Sequence, residues 1–199
     1  CSESGDGEPA IAIPEYRHLA RSLMPGDRPN NFRMSMLAEL PFGKGKKYLQ
    51  SGAAAWLAGG WRVNGVFSKY SGSPFSVSAS GASLNAPGST QRADQVKANV
   101  AITGNIASYF DPLAFAPVTA VRFGTAGFNS LRGPGVTNLD ASIFRDFKAT
   151  ERFTIQLRAE ALNLSNTPHF SNPGANVSNL QLNPDGSVRN LGGFTQITS

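Results

Sequence analysis

An alternation of apolar and polar residues, repeated in four segments of the chain, is the feature that most constrains its fold. It is clearest between residues 153 and 161. There the apolar residues are Phe153, Ile155, Leu157, Ala159 and Ala161, and the residues between them are Thr154, Gln156, Arg158 and Glu160. A period of two is that of a β-strand with one face in water and the other out of it. The chain is therefore expected to be built from β-strands.

Three further segments show the same alternation. Residues 32–40 form the first, and residues 61–79 form a second that is interrupted at 71–74, which predicts a bend or bulge within one long strand. Leu37 is the one exception in the first segment. Residues 135–147 form the next, in which the alternation breaks at Phe144 to Phe147. A turn around residues 149–151 then joins it to the segment from 152 to 164, which predicts an antiparallel hairpin.

The remaining segments read as loops. Residues 1–30 are mixed and polar, with a short helix predicted over 15–23 and ended by Pro25 and Gly26. Residues 81–134 are rich in Gly, Ala, Asn and Ser and are expected to be an extended loop with one helical turn near 106–110. Residues 165–199 are expected to lead to a last strand that lies beyond this sequence.

Charged residues make up only 16% of the chain, below the usual share of about 25%, so a soluble surface would be thinly covered. The formal charge is +5, with an obvious basic cluster at Lys44, Lys46 and Lys47. Without a base-stacking motif or a recognition helix, this charge does not predict nucleic-acid binding. It is typical of a solvated basic turn that sits well beside anionic head groups.

No catalytic, cofactor-binding or metal-binding residue is predicted, and the ligand-binding residues are left unidentified. The single Cys1 allows no intramolecular disulfide, and it is either a fragment end or a lipidated N-terminus. His18 and His169 show no zinc-ligand spacing. The G-K-G-K-K run at 43–47 lacks the order of a phosphate-binding loop, and no G-x-S-x-G elbow occurs. The chain is not expected to be an enzyme.

A soluble extracellular β-sandwich that binds or adheres is the alternative to a membrane barrel. Three observations favour the barrel. Segments 32–42 and 135–147 are long enough to cross a bilayer, aromatic residues lie near the strand ends, and a short turn contrasts with a long loop at the other end. The predicted fold is all-β, with antiparallel up-and-down strands and long loops, as a fragment of a transmembrane β-barrel.

The barrel interpretation divides the chain by location. Residues 1–30 and 81–134 are expected to be extracellular loops, 31–80 two strands with a periplasmic turn, and 135–164 a hairpin. Ile155 and Leu157 are expected to face lipid, with Ile155 near the midplane. Four residues share the opposite, polar parity of the hairpin: Asp140, Ser142, Arg158 and Glu160. They form either a lumenal charge network or, as we favour, ordinary pairing between strands without a transport role.

Several short motifs carry a resemblance to a known family. They are L-P-F-G-K-G at 40–45, G-G-W-R-V-N-G at 59–65, S-G-S-P-F at 71–75, L-R-G-P-G at 131–135, N-L-D at 138–140, E-R-F at 151–153 and R-A-E-A-L-N-L-S-N-T-P-H-F at 158–170. In this order and spacing the segment from Asn30 to Phe170 resembles the barrel of Oar-like TonB-dependent receptors.

The resemblance implies a transporter in the bacterial outer membrane, surrounded by outer-membrane lipid and energised by the TonB complex. The family's plug domain and TonB box match no part of this sequence, so contact with the TonB complex is expected through parts outside it. The extracellular ligand is open, with oligosaccharides, peptides and siderophores all compatible.

Overall fold

The computed structural model describes residues 22–86, 88–148 and 150–198. Contacts between Cα atoms divide the chain into two compact units. The sheet unit comprises Pro29–Ser71 and Gly135–His169. The packed unit comprises the described residues of Cys1–Arg28, Gly72–Pro134 and Phe170–Ser199. Each unit is described by itself.

The described elements are almost all strands. In chain order they are β1 (Asn31–Glu39), α1 (Gly52–Ala58), β2 (Trp61–Tyr70), β3 (Pro74–Phe75), β4 (Ser78–Ser80), β5 (Thr90–Arg92), β6 (Asp94–Gln95), β7 (Ile102–Asn105), β8 (Ser108–Phe110), β9 (Phe115–Ala116), β10 (Leu131–Arg132), β11 (Val136–Lys148), β12 (Thr154–Ala161), β13 (Gln181–Leu182) and β14 (Val188–Asn190). Short 3-10 turns lie at Ala82–Leu84, Pro112–Ala114 and Val177–Asn179.

The sheet unit is one four-stranded sheet in the order β1-β2-β11-β12. Every neighbouring pair is antiparallel. The long strands are therefore neighbours in chain order, which confirms the predicted up-and-down arrangement. The predicted hairpin is confirmed as well, because β11 pairs with β12 from Ala141↔Ala161 to Lys148↔Thr154. The four strands do not close into a barrel within the described residues.

The register of this sheet collects most of the apolar residues of the four strands on one face, with Leu37, Val66 and Phe144 as exceptions on the other. One row runs from Met36 through Gly65 and Ala141 to Ala161. Because side chains alternate between faces, every second residue along each strand joins the same surface. We call this surface the apolar face and the opposite one the polar face.

Burial in the sheet unit is the reverse of that in a soluble sheet. Apart from two glycines, the buried residues described in this unit are Ser68, Ser142 and Arg145. In contrast, Met36 of the apolar face is 56% exposed and Ile155 is 61% exposed. Exposing such a face to water costs about 25 cal/mol of free energy for each square ångström of apolar surface, whereas contact with lipid carries no such cost.

The packed unit holds the hydrophobic core. Its largest fully buried side chains include Phe110, Phe194, Val77 and Val177. The ring of Phe110 lies 5.3 Å from that of Phe194, edge to face, and 5.9 Å from those of Phe75 and Phe115. Pairs of short strands surround this cluster. The predicted extended loop over residues 81–134 is thus wrong: these residues fold into short strands and contribute to a core.

The second alternating segment is two structures and not one bent strand. β2 ends at Tyr70, and the chain passes at residue 72 into the packed unit. There β3 pairs with β10, and β4 pairs with β5. The apolar residues of 75–79 keep the parity of β2, but they do so because Phe75, Val77 and Ala79 are buried in the core.

Other predictions change at the level of single elements. Residues 106–110 are not a helical turn, because Ser108–Phe110 pairs with Ile102–Asn105. Residues 170–198 are more than a leading loop, since Val177, Phe194 and Ile197 belong to the core. Of the helix predicted over 15–23, residues 15–21 lie outside the described residues, as do Cys1 and His18, and residues 22 and 23 are not helical.

The helix α1 was not predicted. It lies in the connection between β1 and β2, within the segment 31–80 that was expected to hold only strands and a turn. Its run of alanines has high helix propensity. None of the helices in the described ranges is long and apolar enough to span a membrane.

Candidate functional site

The polar face of the sheet carries a pocket of about 160 Å³. Its lining residues are Asn64, Val66, Asp140, Ala141, Ser142, Arg158, Glu160 and Leu162. All four residues predicted from their shared parity are among them. Antiparallel pairing brings them together, since Ser142 lies directly opposite Glu160. The Ser142 hydroxyl is buried and has no hydrogen-bond partner among the described residues.

The charged groups of this pocket are paired locally. Arg158 Nε lies 2.5 Å from Glu160 Oε1 in the same strand. Asp140 accepts hydrogen bonds of 2.9 Å from the Asn138 side chain and from the backbone N–H of Asn163. The predicted group therefore forms two separate sets, one within a strand and one with a turn, and not a single charge network. Of the favoured pairing between strands, the register shows Ser142 opposite Glu160, while the ion pair lies within β12.

A second polar cluster crosses three strands and was not predicted. The Arg62 guanidinium of β2 donates to Asp146 Oδ2 of β11. Gln156 of β12 donates to the other carboxylate oxygen at 2.7 Å. Arg62 also lies over the Phe144 ring, with its Cζ 4.8 Å from the centroid. The polar parity of these residues was visible in the sequence, but only the register shows that they meet.

The apolar face is bounded by a cation at each end. Lys69 marks one end and pairs with Phe32 and Thr137. Arg145 marks the other and pairs with Trp61 and Leu157. No charged residue of the described sheet lies between these two rows on this face. The rows of Lys69 and Arg145 are eight residues apart along β2 and β11. With a rise of about 3.3 Å per residue and strands tilted by about 40°, the band between them is roughly 20 Å high, close to the apolar band of a membrane barrel.

The end of the sheet at Arg145 also carries the short connection from β11 to β12, and we call it the short-turn end. Here the rings of Trp56 and Phe147 lie 6.3 Å apart, and Phe153 is 69% exposed. Aromatic residues at the limit of an apolar band are typical of the girdles that mark membrane interfaces.

Among the described residues, His169 and the basic run at 43–47 lie outside both polar clusters. His169 lies 3.3 Å from the Thr137 carbonyl, within the sheet unit. The basic run at 43–47 belongs to the connection between β1 and β2, where Lys46 pairs with Glu39 at 2.5 Å. In the part of the chain that the structure describes, no three His, Cys, Asp or Glu residues are grouped so as to hold a metal ion.

An antiparallel sheet with an exposed, uncharged apolar face of this height and a polar opposite face is the wall of a transmembrane β-barrel. The comparison with protein families agrees: a family model described as an outer membrane beta barrel domain matches residues 2–199. The chain belongs to this family and is located in the bacterial outer membrane. No curated protein and no solved structure shows a significant match to it.

Proposed function

We propose that the chain forms part of the barrel wall of a TonB-dependent receptor, which takes up a ligand across the outer membrane. The observation that carries this proposal is the reversed burial of the sheet, with exposed apolar residues on one face and the buried Ser68 and Ser142 on the other. The ordered motifs between Asn30 and Phe170 support the finer assignment. The activity proposed is transport and not catalysis.

In this proposal the short-turn end faces the periplasm and the connection from β2 to β11 is extracellular. Bacterial barrels have short periplasmic turns and longer extracellular loops. The connection from β2 to β11 runs through residues 71–135 and contributes much of the packed unit, whereas β11 and β12 are joined by only a few residues. An ordered extracellular body of this size offers a surface on which a ligand is first held.

The polar face is proposed to line the lumen. Its pocket presents a guanidinium, two carboxylates and the unpartnered Ser142 hydroxyl. These groups suit a ligand rich in hydrogen-bonding atoms, which oligosaccharides, peptides and siderophores all are. The exposed apolar face supports the alternative soluble β-sandwich less well, because a sandwich buries that face against a second sheet.

The transport assignment is tested by uptake. Cells with and without the gene are given labelled oligosaccharides, peptides and ferric siderophores, and the TonB complex is inactivated in a parallel strain. We expect one ligand class to enter only when both the gene and the TonB complex are present. Uptake that continues without the TonB complex would show a passive pore instead.

The face assignment is tested with adjacent cysteines. Asn64 lies on the polar face and Val63 on the apolar face of β2. In a Cys1→Ser background, with the full-length protein embedded in vesicles, we expect a water-soluble maleimide to label Asn64→Cys and not Val63→Cys. Equal labelling would contradict a lumen on the polar face.

A further inference from the structure

A second pocket lies at the short-turn end of the sheet unit, with a volume of about 560 Å³. It lies between α1, the basic run of the β1–β2 connection and the end of β11. Among its lining residues are Lys44, Lys46, Trp56, Arg145 and Asp146. Two of these charges are neutralised, because Lys46 pairs with Glu39 and Asp146 pairs with Arg62.

Arg145 is the unusual member of this group. It lies on the apolar face, and only 9% of the residue is exposed. Its Nη1 donates to the Leu57 carbonyl at 2.8 Å, and its Cζ lies 4.4 Å from the Phe147 centroid and 5.6 Å from that of Trp56. It has no carboxylate partner among the described residues. A buried cation of this kind normally meets an anion.

The helix beside the pocket is placed for contact with lipid. Trp56 is 67% exposed and Leu57 is 68% exposed. The helix is held on the apolar face, since Leu57 O also accepts from Trp61 Nε1 at 3.0 Å. Exposed apolar side chains on a helix beside a basic loop suit the boundary between acyl chains and head groups.

We infer that this pocket binds the phosphate of an anionic phospholipid, held by Arg145 and Lys44, while Trp56 and Leu57 contact its acyl chains. A guanidinium binds phosphate oxygens in a bidentate manner, and its neighbouring rings keep it in place. Lys44 is exposed and, like Arg145, forms no ion pair among the described residues. The inference depends on the proposed function for one point only, because the proposed orientation of the barrel assigns the lipid to the periplasmic leaflet.

The inference is tested with the full-length protein in phosphatidylcholine vesicles that contain a minor fraction of brominated lipid. Bromine quenches tryptophan at short range, and the difference between wild type and Trp56→Phe isolates the signal of Trp56. We expect brominated phosphatidylglycerol to quench Trp56 more than brominated phosphatidylcholine at the same mole fraction. The expected enrichment is roughly fivefold for each basic side chain near anionic lipid.

The charge variants separate a site from a diffuse surface effect. Lys44→Gln and Arg145→Gln are expected to reduce the preference, and the double variant to abolish it. Lys148→Gln is the matched control, because Lys148 is exposed at the same end of β11 but on the polar face. Soluble glycerol phosphate at millimolar concentration is expected to leave the preference unchanged, since it lacks acyl chains.

Three results would overturn the inference: equal quenching by both lipids in the wild type, no quenching by either, or an equal loss in Lys148→Gln. Displacement by glycerol phosphate would show a soluble phosphate site instead. Should Arg145→Gln fail to fold, judged by its gel migration with and without heating, Lys44→Gln still decides the matter. The measurement uses neither ligand nor TonB complex, so its failure is distinguishable from a failure of the proposed transport.

Discussion

Adjacent residues of a strand in this sheet lie on opposite faces. Residues of the same face also differ in their depth in the membrane. Met36 lies in the row halfway between Lys69 and Arg145, on the apolar face. Leu37 follows it on the polar face, opposite Asn64. These neighbours therefore differ in face while sharing strand and height.

We expect Met36→Arg to destabilise the folded barrel by about 2 to 4 kcal/mol, because lipid at the midplane does not solvate the guanidinium. Leu37→Arg, in contact with lumenal water, is expected to cost far less. The free energy of unfolding from vesicles, measured in urea, checks both values. Similar costs for the two substitutions would count against the assignment of faces.

The register corrects the expected depth of Ile155. It pairs with Phe147 and lies beyond the row of Arg145, at the short-turn end and not at the midplane. Near an interface the cost of an arginine falls to about 0 to 1 kcal/mol. Ile155→Arg is therefore expected to cost clearly less than Met36→Arg in the same unfolding experiment, and the reverse order would contradict the proposed height of the band.

In the packed unit, Asp94 accepts hydrogen bonds of 2.7 Å from both terminal nitrogens of Arg122. These bonds lower the pKa of Asp94, with a smaller contribution from the backbone N–H of Thr125, against an opposing effect of burial. A carboxylate whose pKa is lowered by folding stabilises the folded state above its unfolded pKa of about 3.9. That stabilisation is lost as the pH falls through the folded value.

We accordingly expect amide protection around residues 94–125 to fall as the pH is lowered below about 4. Asp94→Asn should show the same loss already at pH 7. Hydrogen exchange, corrected for the intrinsic rate at each pH, measures this. Asp185→Asn is the control, because the hydrogen bonds of the Asp185 carboxylate to described residues stay within its own turn, with Ser187. Unchanged protection in Asp94→Asn would show that the ion pair contributes little.

At the scale of elements, the connection between β1 and β2 depends on a close approach of two glycines. A Cβ on Gly59 would lie 2.5 Å from the Ala55 carbonyl oxygen and 2.9 Å from the Gly43 Cα. Both contacts are with backbone, so no side chain can move aside. Gly59 also caps α1, its N–H donating to Ala55 O at 3.0 Å.

Gly59→Ala is expected to displace α1 from the apolar face and to break the hydrogen bonds that Leu57 O accepts from Trp61 and Arg145. The emission of Trp56 and Trp61 in the lipid-embedded protein should shift as a result. Gly65→Ala is the matched control, since its Cβ would approach nothing closer than the Asp140 carbonyl at 4.0 Å. An unchanged emission in Gly59→Ala would mean that the connection adapts without losing the helix.

At the scale of the whole molecule, the sheet has two open edges. Among the described residues β1 pairs only with β2, and β12 only with β11. Unpaired backbone groups at an edge cost several kcal/mol each in hydrocarbon and invite association in water. Single-chain bacterial barrels begin at about eight strands. We expect residues 1–199, expressed alone, to aggregate or to require detergent.

Light scattering of residues 1–199 purified without detergent checks this expectation. A monodisperse soluble monomer that melts cooperatively would contradict it and would favour the soluble sandwich. The packed unit has a core of its own, so retained secondary structure alone does not show whether the piece is a soluble monomer. The mass measured in solution shows this directly.

The period of two was enough to predict the four long strands of the sheet and their alternating faces, although it extended β2 into residues that belong to the core. The short turn around residues 149–151 predicted the pairing of the hairpin. The period of two also placed Asp140, Ser142, Arg158 and Glu160 on one surface, because parity is a local property of a strand. The alternation does not show whether an apolar face of a strand is buried in a protein core or lies on the outside of the sheet. Phe75 and Phe67 lie on the same parity, yet only the tertiary structure shows that one is in a core and the other faces outward.

Contacts between distant segments were decided by the tertiary structure alone. The Ser80 N–H donates to the Ser178 hydroxyl, and Phe110 packs on Phe194, although the whole segment Gly135–His169 of the sheet unit lies between the partners in sequence. No local pattern encodes such a choice, because it depends on which apolar surfaces fit together after the strands have formed. The same holds for Arg145, whose place beneath α1 follows from the register of β2 with β11 and from the path of the connection.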